Sequence, residues 1–143
     1  AGLMSRDARP SIVSAVSQSN VVLVPIYNEL KCIHAGIHTI NELLPYNKNI
    51  VVVATKLVKR KGEAFKDWAD SEDAKNIKAV VDHAIGQGIP VLPLKFSRVF
   101  DTIFEQELSI RQMMEKDALA RYTYRDVAAQ FDTLLSYLEQ HYA

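Results

Sequence analysis

The sequence predicts an α/β fold in three layers: a mostly parallel sheet, helices on both of its faces, and a helical carboxyl-terminal end. Two observations carry this. The runs Val21-Val22-Leu23-Val24-Pro25-Ile26 and Ile50-Val51-Val52-Val53-Ala54-Thr55 are apolar at almost every position. A strand wetted on one face alternates apolar and polar residues, so unbroken runs imply cover on both faces. Between the two runs lies a segment of helical periodicity, the crossover that parallel neighbours require. Ligands of such sheets bind at the carboxyl ends of the strands. That directs attention to Pro25-Ile26-Tyr27-Asn28-Glu29, to Thr55-Lys56 and to Pro93-Leu94-Lys95-Phe96.

The elements follow in order. Pro10 suits the first turn of a short helix, where its missing N–H has no helical partner to lose, and Ile12, Val13 and Val16 give that helix a narrow apolar stripe. It closes near Ser19-Asn20, and the first strand starts at once. From Lys31 to Leu44, the residues Ile33, Ile37, Ile40, Leu43 and Leu44 recur at helical spacing, and Pro45 ends the helix. The second strand, Asn49 to Thr55, runs into a basic loop, Lys56-Leu57-Val58-Lys59-Arg60-Lys61-Gly62. Asp70-Ser71-Glu72-Asp73 marks the next helix start, with acids where the macrodipole favours them. Ile77, Val80, Val81, Ala84 and Ile85 then face the sheet, and Gly86 and Gly88 stop the helix. The third strand, Ile89 to Leu94, holds two prolines, which predicts an edge position or a short strand. Beyond it the chain is helical: Val99 to Met114 with Ile103, Phe104 and Leu108, then Tyr124 to Tyr142. The last helix has a stripe of Val127, Phe131, Leu134, Leu135 and Leu138, and Thr123 with Asp126 resembles a capping box with Asp in place of Glu. That stripe is either core-facing or a dimer seam. Three strands make a thin sheet for so many helices, so further strands are expected from outside these residues.

Residues 1–143 suit one domain, long enough to bury about two thirds of the surface of the unfolded chain. Hydrophobic residues make up 48% and charged residues 24%, which excludes a disordered chain. The formal net charge is +0, so any nucleic-acid contact has to come from a local patch. One cysteine, Cys32, cannot form an internal disulfide, which fits a reducing cytoplasm. The longest apolar run, Val21 to Ile26, is far short of the roughly 20 residues of a membrane span. No signal peptide and no membrane partner are expected.

Several chemistries are tested and set aside. His34 and His38 stand four apart on one helix, a chelating spacing, but no Glu follows as in H-E-x-x-H, and no metal site is expected. Cys32 has no resolving partner, and no Gly-x-Ser-x-Gly turn presents a nucleophilic serine. None of these motifs supplies a catalytic residue. Trp68, the sole tryptophan, either anchors the basic loop to the core or faces a partner.

Taken in order, Ala1-Gly2-Leu3, Ser19-Asn20 with Val21 to Pro25, Gly36, Val51 to Lys56, Ile89-Pro90-Val91-Leu92-Pro93 and Glu105 resemble the carboxyl-terminal part of the ParA/MinD family of deviant-Walker P-loop ATPases. The resemblance reaches to about Met114. It implies a P-loop NTPase-like sheet that is incomplete at the amino terminus. Ala1-Gly2 would follow the Walker B aspartate, and the Walker A loop, its signature lysine and the metal-linked aspartate would all lie upstream of residue 1. ATP and Mg²⁺ are then cofactors of the full-length protein, with none expected for this chain alone, which should not hydrolyse ATP.

The resemblance also implies site residues. Gly2 corresponds to the glycine whose backbone N–H approaches the terminal phosphate. Thr55-Lys56 stands where the family usually ends a strand with Asn near the adenine. A Thr hydroxyl can still meet a base edge, or Thr55 simply ends the strand. The guanine-reading Thr-Lys-x-Asp motif fails here, because position 58 is Val. Pro93-Leu94-Lys95-Phe96 matches the proline-stiffened loop beside the adenine, although a generic strand-to-helix connection would look the same. ParA-like proteins hold DNA without sequence preference through basic surface residues. Lys59, Arg60 and Lys61, joined by Arg98, Arg111, Arg121 and Arg125, are the candidates here, against the alternative of a solvated loop balanced by Glu63, Asp67, Asp70, Glu72 and Asp73. The implied function is plasmid or chromosome segregation or stability through ATP-dependent homodimerisation and nonspecific DNA binding. The implied partner is a centromere-binding adaptor, and the implied location is the nucleoid within a bacterial cytoplasm. The competing expectation is a nucleotide-free α/β module that binds a protein partner through its helical end.

Overall fold

The computed structural model describes residues 6–86 and 88–143. Three parallel strands, β1 (Val22–Tyr27), β2 (Ile50–Leu57) and β3 (Val91–Lys95), form a sheet in the order β1-β2-β3. The register sets Val24 beside Val52 and Val53 beside Leu92. Six helices surround it among the described residues: α1 (Arg9–Gln18), α2 (Leu30–Leu43), α3 (Glu72–Ile85), α4 (Val99–Gln106), α5 (Ile110–Lys116) and α6 (Ala118–Tyr142).

Each face of the sheet has its own core. On the first, Val24, Ile26, Ile50, Val52, Ala54 and Leu57 pack with Ile33, Ile40 and Leu43 of α2 and with Ala74, Ile77 and Val81 of α3. On the second, Val53 and Leu94 meet Val99 of α4, Met113 of α5, and Val127 and Leu134 of α6. β2 is therefore buried without interruption from Ile50 to Ala54, which is why its sequence has no polar alternation.

β1 departs from that expectation. Its Val24 and Ile26 are buried, but Leu23 is 41% and Tyr27 37% exposed, and Pro25 is exposed beside them. The strand is apolar on two faces and covered on one. Pro93 in β3 agrees with the edge position expected for that strand.

Several element boundaries differ from expectation, β3 for one running from Val91 to Lys95, and four of the differences have a local reason. β2 runs on to Leu57 and takes in two residues assigned to the basic loop, because Leu57 is 1% exposed and anchors the strand end in the first core. Helix α3 starts one residue into the acidic run, with the Ser71 hydroxyl accepting from the Ala74 N–H at 3.2 Å; Trp68–Asp70 form a separate 3₁₀ turn. The expected helix from Val99 to Met114 is two helices. Glu107 adopts φ 55, a left-handed stop, and Ser109 with Gln112 builds a reciprocal capping box that begins α5. The last helix begins at Ala118 rather than Tyr124, because the Asp117 carboxylate accepts from the Leu119 N–H at 3.0 Å; the Thr123 and Asp126 pair is interior to it.

Gly36 lets α2 sit close to β1. A Cβ at this position would fall 2.6 Å from Ile26 Cγ1 and closer still to its Cδ1, while Ile26 itself is fully buried. Gly36→Ala should destabilise the protein by about 1–3 kcal/mol in urea unfolding, despite the higher helix propensity of Ala. Adding Ile26→Ala removes both clashing carbons, so the double variant should be more stable than the sum of the single changes predicts; strict additivity would rule out this contact as the cause.

Candidate functional site

The carboxyl end of β2 is irregular. Its register with β3 shifts between Ala54 and Leu57, and Lys56 takes φ 53, a left-handed conformation that costs a side-chain-bearing residue about 1–2 kcal/mol. The extra residue of this bulge brings the Lys56 ammonium 4.6 Å from the centre of the Tyr27 ring at the end of β1. On the other side, the Phe96 N–H donates to the Leu57 carbonyl at 2.8 Å. The Lys95 N–H donates to Gln130 Oε1 of α6 at 2.7 Å, and the Lys95 ammonium lies 5.5 Å from the Trp68 ring centre.

A cavity of about 280 Å³ opens at these strand ends, lined by Thr55, Lys56, Leu94, Lys95, Phe96, Ser97, Phe100 and Asp101. It brings together five of the sequence-predicted residues: Thr55, Lys56, Leu94, Lys95 and Phe96. Pro93 instead lines a second hollow, against Trp68, Gln130 and Leu134. Gly2 lies outside the described residues. The volume is just under the roughly 300–1,000 Å³ usual for ligand pockets, room for a ring system rather than for a whole nucleotide.

Beside the cavity, Asp73 of α3 ties the strand ends together. Its carboxylate is 3% exposed. Oδ1 accepts from Asn28 Nδ2 at 2.8 Å, from Arg60 Nε at 2.8 Å and from an Arg60 terminal nitrogen at 2.7 Å, and Oδ2 accepts from the Val58 N–H at 3.4 Å. The Asn28 oxygen in turn accepts from Asn76 Nδ2 at 2.8 Å. Burial alone would push this carboxyl up, but the hydrogen bonds from Asn28, Arg60 and Val58 and the Arg60 charge outweigh it and hold the group below the usual carboxylate range. Glu63 fixes the same loop by accepting from the Arg60 and Glu72 N–H groups, each at 2.7 Å, and those two bonds lower its pKa as well.

The basic residues divide accordingly. Arg60 is engaged with Asp73, and Lys59 lies 5.4 Å from the Phe65 ring centre, while Lys61 is exposed on the turn. Arg98 is exposed just before α4. Arg111 and Arg121 line a different and larger groove of about 680 Å³ among α4, α5 and α6, where Arg111 pairs with Asp132 at 3.2 Å. Arg125 lies over the Tyr122 ring, 5.6 Å from its centre. The large groove is mostly apolar and distant in sequence from the strand ends. The smaller cavity, also walled mainly by apolar surface, is the better small-molecule candidate because it lies at the place where parallel sheets bind ligands.

The residues set aside by sequence have local roles. His38 pairs with Glu42 one turn along α2, and the Tyr27 N–H points to Cys32 Sγ at 3.4 Å. Trp68 is half-buried, meets Phe65 edge to face at 4.9 Å and packs against the first core, which answers the question left open between anchor and partner contact. Among the described residues no group of three His, Cys, Asp or Glu could hold a metal ion, and no helix is long and apolar enough to cross a membrane.

Sequence reasoning missed Asp73, Phe100 and Asp101 as site-forming residues, and it marked Asn28 only by its place at a strand end. Asp73 stood out only as an acid at a helix start, since its partners come from 45 and 13 residues earlier and carry no local signal. Compared with protein-family models, with curated proteins and with solved structures, the chain has no significant match.

Because the Asp73 pKa is lower in the folded chain than its unfolded value of about 3.9, its contribution to stability is present above that pH and is lost as pH falls through the folded value. Asp73→Asn should therefore lower stability at pH 7 by about 2 kcal/mol and by clearly less at pH 3. Urea unfolding at the two pH values measures the difference; an equal loss at both would mean that the charge of Asp73 is not what matters.

Proposed function

We propose that this chain is the carboxyl-terminal part of a ParA-like partitioning ATPase, which in full length dimerises around ATP, binds DNA without sequence preference and serves plasmid or chromosome segregation. The observation that carries the reading is the cavity at the carboxyl ends of β2 and β3, where Thr55, Lys56, Leu94 and Lys95 meet beside two phenylalanines. Its size and aromatic walls suit the base of a nucleotide. The uncovered apolar side of β1 at Leu23, Pro25 and Tyr27 supports the reading too, since a sheet continued past β1 and a further helix would bury it.

In this reading the base end of the site belongs to these residues, while the triphosphate and Mg²⁺ are held by residues encoded upstream of Ala1. Phosphoryl transfer depends on positioning and on cations that neutralise developing charge, so the chain by itself turns over no ATP. The full-length protein would act as a homodimer on the bacterial nucleoid with a centromere-binding adaptor. Titrating the 143-residue chain with ATP tests the base end directly. Amide resonances of Thr55, Lys95 and Phe96 should shift while those of Phe131 and Leu135 stay in place; shifts confined to the latter pair would reject the assignment.

A second reading, a nucleotide-free module that binds a protein partner, is favoured by one observation: the apolar groove of about 680 Å³ in the helical end, with Ile103, Ile110, Phe131 and Leu135 in its walls. A Gly-rich, Lys-containing loop encoded upstream of Ala1 would decide for the ATPase.

For DNA, the ion pair with Asp73 makes Arg60 the least available cation of its loop and leaves Lys59 and Lys61 as the ones to test. Changing both to Ala in the full-length, ATP-bound protein should weaken nonspecific binding and reduce the salt slope by about 2. A slope that does not change would take this loop off the DNA surface.

A further inference from the structure

Resting on the nucleotide reading of the strand-end cavity, we propose that Asp101 selects the base there, so that the cavity takes a purine bearing an exocyclic amino group. The argument begins with which polar groups are left to meet a ligand. The ammonium groups of Lys56 and Lys95 lie against the rings of Tyr27 and Trp68. Ser97 Oγ accepts from the Val99 N–H at 3.2 Å and keeps its own hydrogen to donate. The Asp101 carboxylate, in the first turn of α4, has no ion pair and no side-chain hydrogen bond among the described residues. The amino-terminal end of a helix favours that charge.

An ionised carboxylate only accepts hydrogen bonds, so a ligand group facing Asp101 must donate. Lys56 and Lys95 in the same lining offset its charge, so it is the demand for a donor that turns a base toward Asp101. Phe96 and Phe100 supply ring faces for stacking, and Phe100 is held edge to face against Phe131 at 5.8 Å. A flat aromatic ring with a donor on its rim meets these demands, and within the nucleotide reading an aminopurine does so and fits about 280 Å³. The 6-amino group of adenine and the 2-amino group of guanine share this chemistry.

The test titrates the chain with adenosine, guanosine and purine riboside, which has neither an amino group nor an N1–H. At least one of the amino nucleosides should bind about ten-fold more tightly than purine riboside, the range expected of a hydrogen bond to a charged group, and the one that does identifies the amino position. Asp101→Ala should bring the nucleosides to a common affinity, and Asp101→Asn, whose amide oxygen still accepts, should retain part of the preference. Asp101 is exposed, so neither change disturbs a core, and circular dichroism checks the fold. Equal binding of all three by the unaltered chain, or a preference that survives Asp101→Ala, overturns the role of Asp101 while the cavity remains a base site. Binding of none of the three overturns the nucleotide reading itself and this inference with it.

Discussion

A single buried carboxylate holds the carboxyl end of this sheet in shape. Asp73 reaches from α3 to the loop after β1 through Asn28, and to the loop after β2 through Val58 and Arg60. Burying a charge is unfavourable unless hydrogen bonds replace the water it loses, and here four donors do so on two oxygens. The outcome is a set of loops whose positions are coupled: the first core fixes where α3 sits, α3 fixes Asp73, and Asp73 fixes both strand ends.

That coupling gives a reason for the geometry next to it. With Arg60 drawn to Asp73 and Leu57 anchored in the first core, the chain between Ala54 and Leu57 has one residue too many for a regular ladder, and Lys56 absorbs it with a left-handed backbone. A glycine there would relax the strain and lose the ammonium over Tyr27. The hollow formed by Thr55, Phe96 and Phe100 thus borders on a strand whose irregularity is set from the opposite side.

Much of the architecture was legible in the sequence, because the strongest signals were hydrophobic runs of the right length. Ile50 to Ala54 announced a strand buried on both faces and is one. Gly36 was noted by position, but the contact that requires it, with Ile26, is visible only in three dimensions. The break at Glu107 was hidden because Ile103, Phe104 and Leu108 continue a helical pattern across it; the Ser109 and Gln112 box was present in the sequence and outweighed by that periodicity. At the candidate site, Thr55 and Lys95 were found from their place after apolar runs. Asp101 was not, because an acid in a helix start is ordinary and the cavity that gives it meaning is built by residues from β2, β3 and the turn between β3 and α4.

The outer edge of β1 carries a further consequence. Since the Val22 N–H donates to Asn49 across the sheet, Leu23, Pro25 and Tyr27 turn their backbone groups outward. Pro25 has no hydrogen to offer, the Tyr27 N–H is directed at Cys32 and the Tyr27 carbonyl accepts from the Glu29 N–H, which leaves the Leu23 N–H and the Leu23 and Pro25 carbonyls outward along β1. This rim offers two acceptors to one donor. Two copies of it make mismatched partners for each other, which guards an open apolar border against stacking into fibrils, while an incoming segment with its own free amides can still dock in one register.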